Sequence, residues 1–141
     1  MESGQILDAS AALRFMFAGK AHVTLVSRKT GTRFTYRVSA KKGSDSLHFV
    51  SLLTGRENTR DYEFFGTVFD RQTFRHSARS SLGQHLPSTK AFGWTVAALQ
   101  AGRVPETVEV WHEGRCGRCG RLLTVPSSIA TGFGPECAGL I

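Results

Sequence analysis

His22-Val-Thr-Leu-Val-Ser27, Lys29-Thr-Gly-Thr32 and Arg33-Phe-Thr-Tyr-Arg-Val-Ser39 read as two strands around a glycine turn. The second run alternates without a break. Phe34, Tyr36 and Val38 fall on one side, and Arg33, Thr35, Arg37 and Ser39 on the other. Successive side chains of an extended chain point to opposite faces, so this pattern predicts a hairpin with one buried face and one polar, basic face. A face of that kind belongs to an antiparallel sheet covered on one side only.

The flanking segments extend the sheet. Leu47-His-Phe-Val-Ser-Leu-Leu53 follows a turn at Ser44-Asp45 and is more continuously apolar, as a central strand would be. Asp61-Tyr-Glu-Phe-Phe-Gly-Thr-Val-Phe69 reads as a fourth strand. Asp70-Arg-Gln72 turns into a short fifth, Thr73-Phe-Arg-His-Ser77. Ahead of the hairpin, Asp8 can cap a helix whose apolar face holds Leu13, Met16 and Phe17, with Gly19 ending it. After the loop-like stretch Ala78–Pro87, Ser88 is placed to cap a second helix over about Thr89 to Ala101, with Phe92, Val96 and Leu99 on one stripe. Trp94 lies off that stripe. Val108-Glu-Val-Trp-His112 alternates as a last strand. The expected architecture is α+β: an antiparallel meander of about five strands on one or two helices, with a C-terminal zinc knuckle or ribbon-like cap. The boundary is expected after residue 109, between a basic domain (1–109) and the cap (110–141).

That last strand delivers His112 to the region holding all three cysteines. Cys116-Gly-Arg-Cys119-Gly120 places two thiols two residues apart before a glycine, and Cys137 follows. A tight turn of this kind aims both sulfurs at one centre. A closed structural zinc site takes four ligands, which predicts His112, Cys116, Cys119 and Cys137. His76, His85, His22 or a water are the alternatives for the fourth position. A redox pair would open a helix after a strand, and a disulfide framework would have an even cysteine count. A catalytic zinc would keep an open position beside a carboxylate, and Glu113 and Glu136 flank ligands. Beyond the knuckle, Arg121–Val125 reads as a short strand and Ser127–Thr131 as one helical turn. Gly132–Pro135 reads as a tight turn leading into a last turn of helix. Leu122, Leu123, Val125, Ile129, Phe133 and Ile141 would be its small core. That is too little to fold alone, and metal binding, worth on the order of 10 kcal/mol, would make up the deficit.

Charge narrows the partner. The chain has 141 residues and a formal charge of +7, and 13 of its 18 basic residues are Arg. Arg suits bidentate contact with phosphate and carboxylate, so a nucleic acid or an acidic protein surface is the expected partner. Arg33 and Arg37 share a strand face. Arg71, Arg75 and Arg79 lie on or beside the fifth strand, and Arg115, Arg118 and Arg121 decorate the knuckle. Trp111, Tyr36 and Phe133 are the aromatics that could stack bases, although core positions suit them too. Reduced cysteines and an N-terminus unlike a signal peptide predict a cytoplasmic protein. No apolar run reaches the length of a membrane span. No phosphate-binding loop, nucleophile elbow or deaminase signature is present, so no enzymatic activity is expected.

Cys116-Gly-Arg-Cys-Gly-Arg-Leu-Leu-Thr-Val-Pro-Ser-Ser-Ile129, with Gly132-Phe-Gly-Pro-Glu-Cys137, resembles a small zinc-binding domain family of unknown function. That family is found in phage and bacterial, notably actinobacterial, proteins. The resemblance covers about Val110 to Ala138 and implies zinc on Cys116, Cys119 and Cys137, with the His112 position as fourth ligand. It implies no activity. The rest of the chain looks similar to small phage or prophage proteins. On these grounds nucleic-acid binding through the basic face is the first expectation. A protein-binding inhibitor or adaptor, for example of a bacterial host defence system, is the second. A metal-dependent enzyme is the third.

Overall fold

The computed structural model describes residues 4–123, 131–134 and 137. Val125, Ile129, Pro135, Glu136, Ile141 and most of the helical turn expected at 127–131 lie outside the described residues. The described part is one seven-stranded antiparallel sheet with both helices on one face. The strands are β1 (Gln5–Ile6), β2 (Lys20–Ser27), β3 (Arg33–Ala40), β4 (Leu47–Leu53), β5 (Tyr62–Phe69), β6 (Thr73–His76) and β7 (Val108–His112). Their spatial order is β1-β7-β2-β3-β4-β5-β6. β2 to β6 form the expected meander. The chain then crosses back through helix α2 (Pro87–Gln100) and inserts β7 between β2 and β1. The two-residue β1 is the strand that alternation had not revealed.

The helices form for local reasons. Asp8 caps α1 (Ala9–Met16) by accepting the Ala11 N–H at 2.9 Å. α2 starts two residues earlier than expected. Pro87 occupies its first turn, where a missing N–H costs nothing, and Ser88 lies inside the helix and is buried. Tyr36 donates its hydroxyl to the Ser88 carbonyl at 2.6 Å, tying α2 to the sheet. An aromatic layer fills the space between them: Tyr36, Phe65, Phe74 and Phe92 meet with ring centroids 5.0 to 6.0 Å apart. Trp94 is half-exposed on α2.

The sheet's other face, the open face, carries no helix among the described residues, although His22, Thr24 and Ser51 on it are buried. Pairing aligns Lys20 with Ser39, Ser39 with Phe49, Phe49 with Thr67, and Thr67 with Arg75, so these residues form one row across five strands. His22, Arg37, Ser51 and Phe64 form the next row. Strict alternation along β5 would group Phe65, Thr67 and Phe69. A bulge opposite Val50 and Ser51 prevents this, because Val50 faces Gly66 and Ser51 faces Phe64. The extra residue keeps Phe65 in the core while Phe64 and Phe69 both reach the open face, each about 40% exposed.

The expected boundary at 109 falls inside β7, which pairs along its whole length with β2. The chain therefore leaves the sheet only after His112.

Candidate metal centre

After His112 the chain forms a miniature hairpin. Arg115 and Leu122 make an antiparallel bridge, Cys116 N–H donates to the Arg121 carbonyl at 2.8 Å, and Leu123 N–H donates to the Gly114 carbonyl at 2.7 Å. Its tip is Cys116–Gly120, closed by the Gly120 N–H on the Cys116 carbonyl at 2.8 Å. Gly120 sits at φ +79°, a left-handed conformation that glycine adopts without a Cβ penalty.

The tip is moored at two points. Gly117 accepts the Lys20 N–H at 2.8 Å, and its own N–H donates to the Gly132 carbonyl at 2.9 Å. Phe15 of α1 fills the space beneath. A Cβ on Gly117 would stand 2.7 Å from the Phe15 ring, and one on Gly132 would stand 2.8 Å from it. Both glycines are therefore required by the close approach of that ring. Phe15 also meets Phe133 and His112, with centroids 5.8 and 5.7 Å apart.

This scaffold gathers the three cysteines. Their sulfurs all lie within 4.8 Å of one another, and none is in a disulfide. Tetrahedral thiolate ligands about 2.3 Å from a metal stand roughly 3.8 Å apart, so the set fits one thiophilic ion. Burial pushes the Cys116 thiol up, but the backbone N–H groups of Gly134, Cys119 and Arg118 and the Cys119 side chain outweigh it and bring it down to about 7. Those N–H groups stabilise a thiolate before any metal arrives. Cys137 differs. The Arg118 guanidinium, with Nη1 3.7 Å from its sulfur, draws it down, yet burial and the two neighbouring sulfurs push it up on balance. Three thiols held this close favour the exchange of protons for a cation.

The expected ligands are not all brought together. Among the described residues the group comprises Cys116, Cys119 and Cys137, without His112. His112 is fully buried between the sheet and the knuckle, and its Nδ1 accepts the Gly114 N–H at 3.0 Å. In a neutral ring that bond leaves the proton on Nε2. The alternatives lie elsewhere. His76 Nε2 bonds the Leu82 carbonyl, His85 lies beside Gln84, and His22 Nδ1 bonds the Tyr62 hydroxyl. Glu113 accepts a hydrogen bond from Thr24 at 2.7 Å.

The expected partner-binding arginines also separate. Arg33, Arg37 and Arg75 stand on the open sheet face. Arg115 reaches the same face from the knuckle, in a pocket of about 360 Å³ lined also by Lys20, His22, Arg37, Ser39, Thr59, Cys119 and Gly120. None of Lys20, Arg33, Arg37, Arg75 or Arg115 forms an ion pair among the described residues. Arg121 is exposed beside the bridge, and Arg118 attends the Cys137 sulfur. Arg71 is tied to Asp45 in the β5–β6 turn. Tyr36 and Phe133 are core residues, and Trp111 donates to Glu109. The exposed rings of the open face are Phe49, Phe64 and Phe69, which strand alternation around Val50 could have shown for Phe49 alone.

A family described only as of unknown function (DUF6011) matches residues 109–141. No curated protein and no solved structure matches the chain. Among the described residues no helix is long and apolar enough to cross a membrane. The matched segment contains the whole cysteine group, so the chain carries at its C-terminal end a segment similar to that family, with a cysteine cluster able to hold a metal.

Proposed function

We propose that this chain is a zinc-braced binding protein whose open sheet face holds a nucleic acid through its phosphates. The observation that carries the reading is the convergence on that face of Lys20, Arg33, Arg37, Arg75 and Arg115, without ion-pair partners among the described residues. Cations not held in ion pairs are available to a polyanion. Zinc is the ion that best suits three thiolates in a turn stiffened by backbone N–H groups. Its role is structural: Cys116, Cys119 and Cys137 would hold it and pin the knuckle that carries Arg115. Binding rather than catalysis is the proposal, because Glu113, the carboxylate nearest the cysteines in sequence among the described residues, is engaged by the Thr24 hydroxyl.

The test is a salt titration of the affinity of the zinc-loaded chain for mixed-sequence DNA and RNA. Arg37→Ser and Arg75→Ser should each weaken binding whatever the sequence and flatten the dependence on log salt by about one unit. Arg118→Ser should change the salt slope less, because its guanidinium lies against a cysteine sulfur. Absence of binding to any nucleic acid at low salt would overturn the reading in favour of an acidic protein surface as partner.

A further inference from the structure

We infer that the nucleic acid taken by this face is single-stranded, with bases stacked on Phe49 and Phe64 and a backbone phosphate held in the pocket between Lys20, Arg37 and Arg115. The inference rests on the proposed function and narrows its ligand.

The row Lys20–Ser39–Phe49–Thr67–Arg75 crosses five strands, about 19 Å at roughly 4.8 Å per strand. It has a cation at each end, hydroxyls between and a phenyl ring at the middle. The next row adds Arg37 and Phe64. Phe49 and Phe64 meet edge to face at 6.0 Å, and each is about 40% exposed, so part of each ring remains uncovered. A soluble sheet gains nothing from two uncovered rings between cations, whereas a base offers an apolar face on a charged backbone. Bases inside a duplex stack on one another and turn their edges inward. Only unstacked bases could meet these rings.

The pocket supplies the phosphate end. Arg37 lies over the Tyr62 ring, its guanidinium carbon 4.7 Å from the centroid. Tyr62 donates its hydroxyl to Asn58 at 2.5 Å and bonds His22 Nδ1 at 2.9 Å, so the ring beneath Arg37 is itself fixed. Arg115 is tethered by its bond to the Gly120 carbonyl at 3.2 Å. Two guanidiniums held in place lose little rotamer freedom when they bind an anion. Ser39 lines the same pocket and adds a hydroxyl, while Thr59, also at its wall, donates its own hydroxyl to Glu57 at 2.8 Å. Ser39 pairs directly with Phe49, so the pocket and the first ring are adjacent along the row.

Fluorescence anisotropy with labelled oligo-dT, oligo-U and a duplex of equal length tests this on the zinc-loaded chain. A single strand of either sugar should bind about tenfold or more tighter than the duplex. Phe49→Ala and Phe64→Ala should each weaken single-strand binding about five- to tenfold and leave duplex binding unchanged. Phe49→Trp should restore affinity, with zinc content and melting temperature reporting that each variant is folded. Photocrosslinking of a thiouracil-bearing oligonucleotide to the unmodified chain should map to β4 and β5. Equal affinity for duplex and single strand, unchanged binding by both Ala variants, or crosslinks confined to the helical face would overturn the inference. If Arg37→Ser still weakens binding under those outcomes, the phosphate reading stands without the stacking. If no nucleic acid binds at low salt, both fall.

Discussion

Arg71 brings a conformational cost together with its charge. It was an expected phosphate contact, yet it occupies the β5–β6 turn with φ +58°, after Asp70 at φ +54°. Two successive left-handed residues closed by the Gln72 N–H on the Phe69 carbonyl make a tight hairpin turn of the type that prefers Asp-Gly. A Cβ in that conformation costs about 1 kcal/mol, and the exposed Arg71–Asp45 pair returns little. Arg71→Gly should therefore raise the melting temperature by about 2–4 °C, measured by calorimetry. His48 makes a different prediction. Its Nε2 bonds the Phe17 carbonyl at 3.1 Å, its Nδ1 is buried without a hydrogen-bond partner among the described residues, and its pKa lies below 6.5 chiefly because burial disfavours the charged ring. The unfolded chain then binds the proton more readily, so His48 contributes stability that is complete above pH 6.5 and lost as pH falls through the folded value. His48→Gln should keep the bond to Phe17 and shrink the loss of stability between pH 6.5 and 5. Comparing the two denaturation series isolates His48, because the cysteines contribute equally to both.

Helix α1 and the knuckle behave as one element. Phe15 lies against Gly117, Gly132, Phe133 and His112, so the ring that completes the helix's apolar face is also the floor of the metal centre. Phe15→Ala should cost about 3–5 kcal/mol through the cavity it leaves. It should also weaken zinc retention in a chelator competition, since the tip would lose its support. Retention equal to that of the parent would show that the knuckle holds its shape without the helix. The β5 bulge acts at the same scale. One extra residue beside Gly66 turns Phe64 and Phe69 to the same side, and no other residue fits at Gly66, where a Cβ would meet the Phe74 ring and the Arg75 carbonyl. The aromatic surface of the open face thus depends on a glycine with no side chain of its own.

The whole molecule is divided by topology rather than by sequence position. β7 is an inner strand, bonded to β1 on one side and to β2 on the other, so a cut before Val108 removes the strand that joins β1 to the rest of the sheet and bares the edge of β2. A fragment 1–114 should keep a cooperative unfolding transition, while 1–107 should not. Circular dichroism of the two fragments distinguishes them. Metal removal should act beyond that point. Chelation, or Cys116→Ser, should abolish stoichiometric zinc and expose the chain after Gly114 to protease before the sheet is cut. Simultaneous cleavage throughout would show that the centre braces the entire sheet.

The alternation of Arg33 to Ser39 was enough to establish a sheet with one basic face, because a period of two needs no partner to be visible. The Cys116-x-x-Cys119 turn and Cys137 were likewise legible, since thiols at ligand spacing carry their chemistry in their identity. The position of His112 relative to those thiols was not. His112 precedes the knuckle closely in sequence, but the β7 pairing turns it into the core beside Phe15, and a bond from Gly114 occupies the nitrogen facing the chain. The aromatic platform was hidden for a related reason. Phe64 and Phe65 are adjacent residues of equal hydrophobicity, and only the register against Val50 and Ser51 decides which is buried. Local periodicity settles which residue types share a face, but register, bulges and the crossover that inserts β7 are set by long-range pairing. The convergence of Lys20, Arg37 and Arg115 on one pocket therefore belongs to the tertiary structure alone.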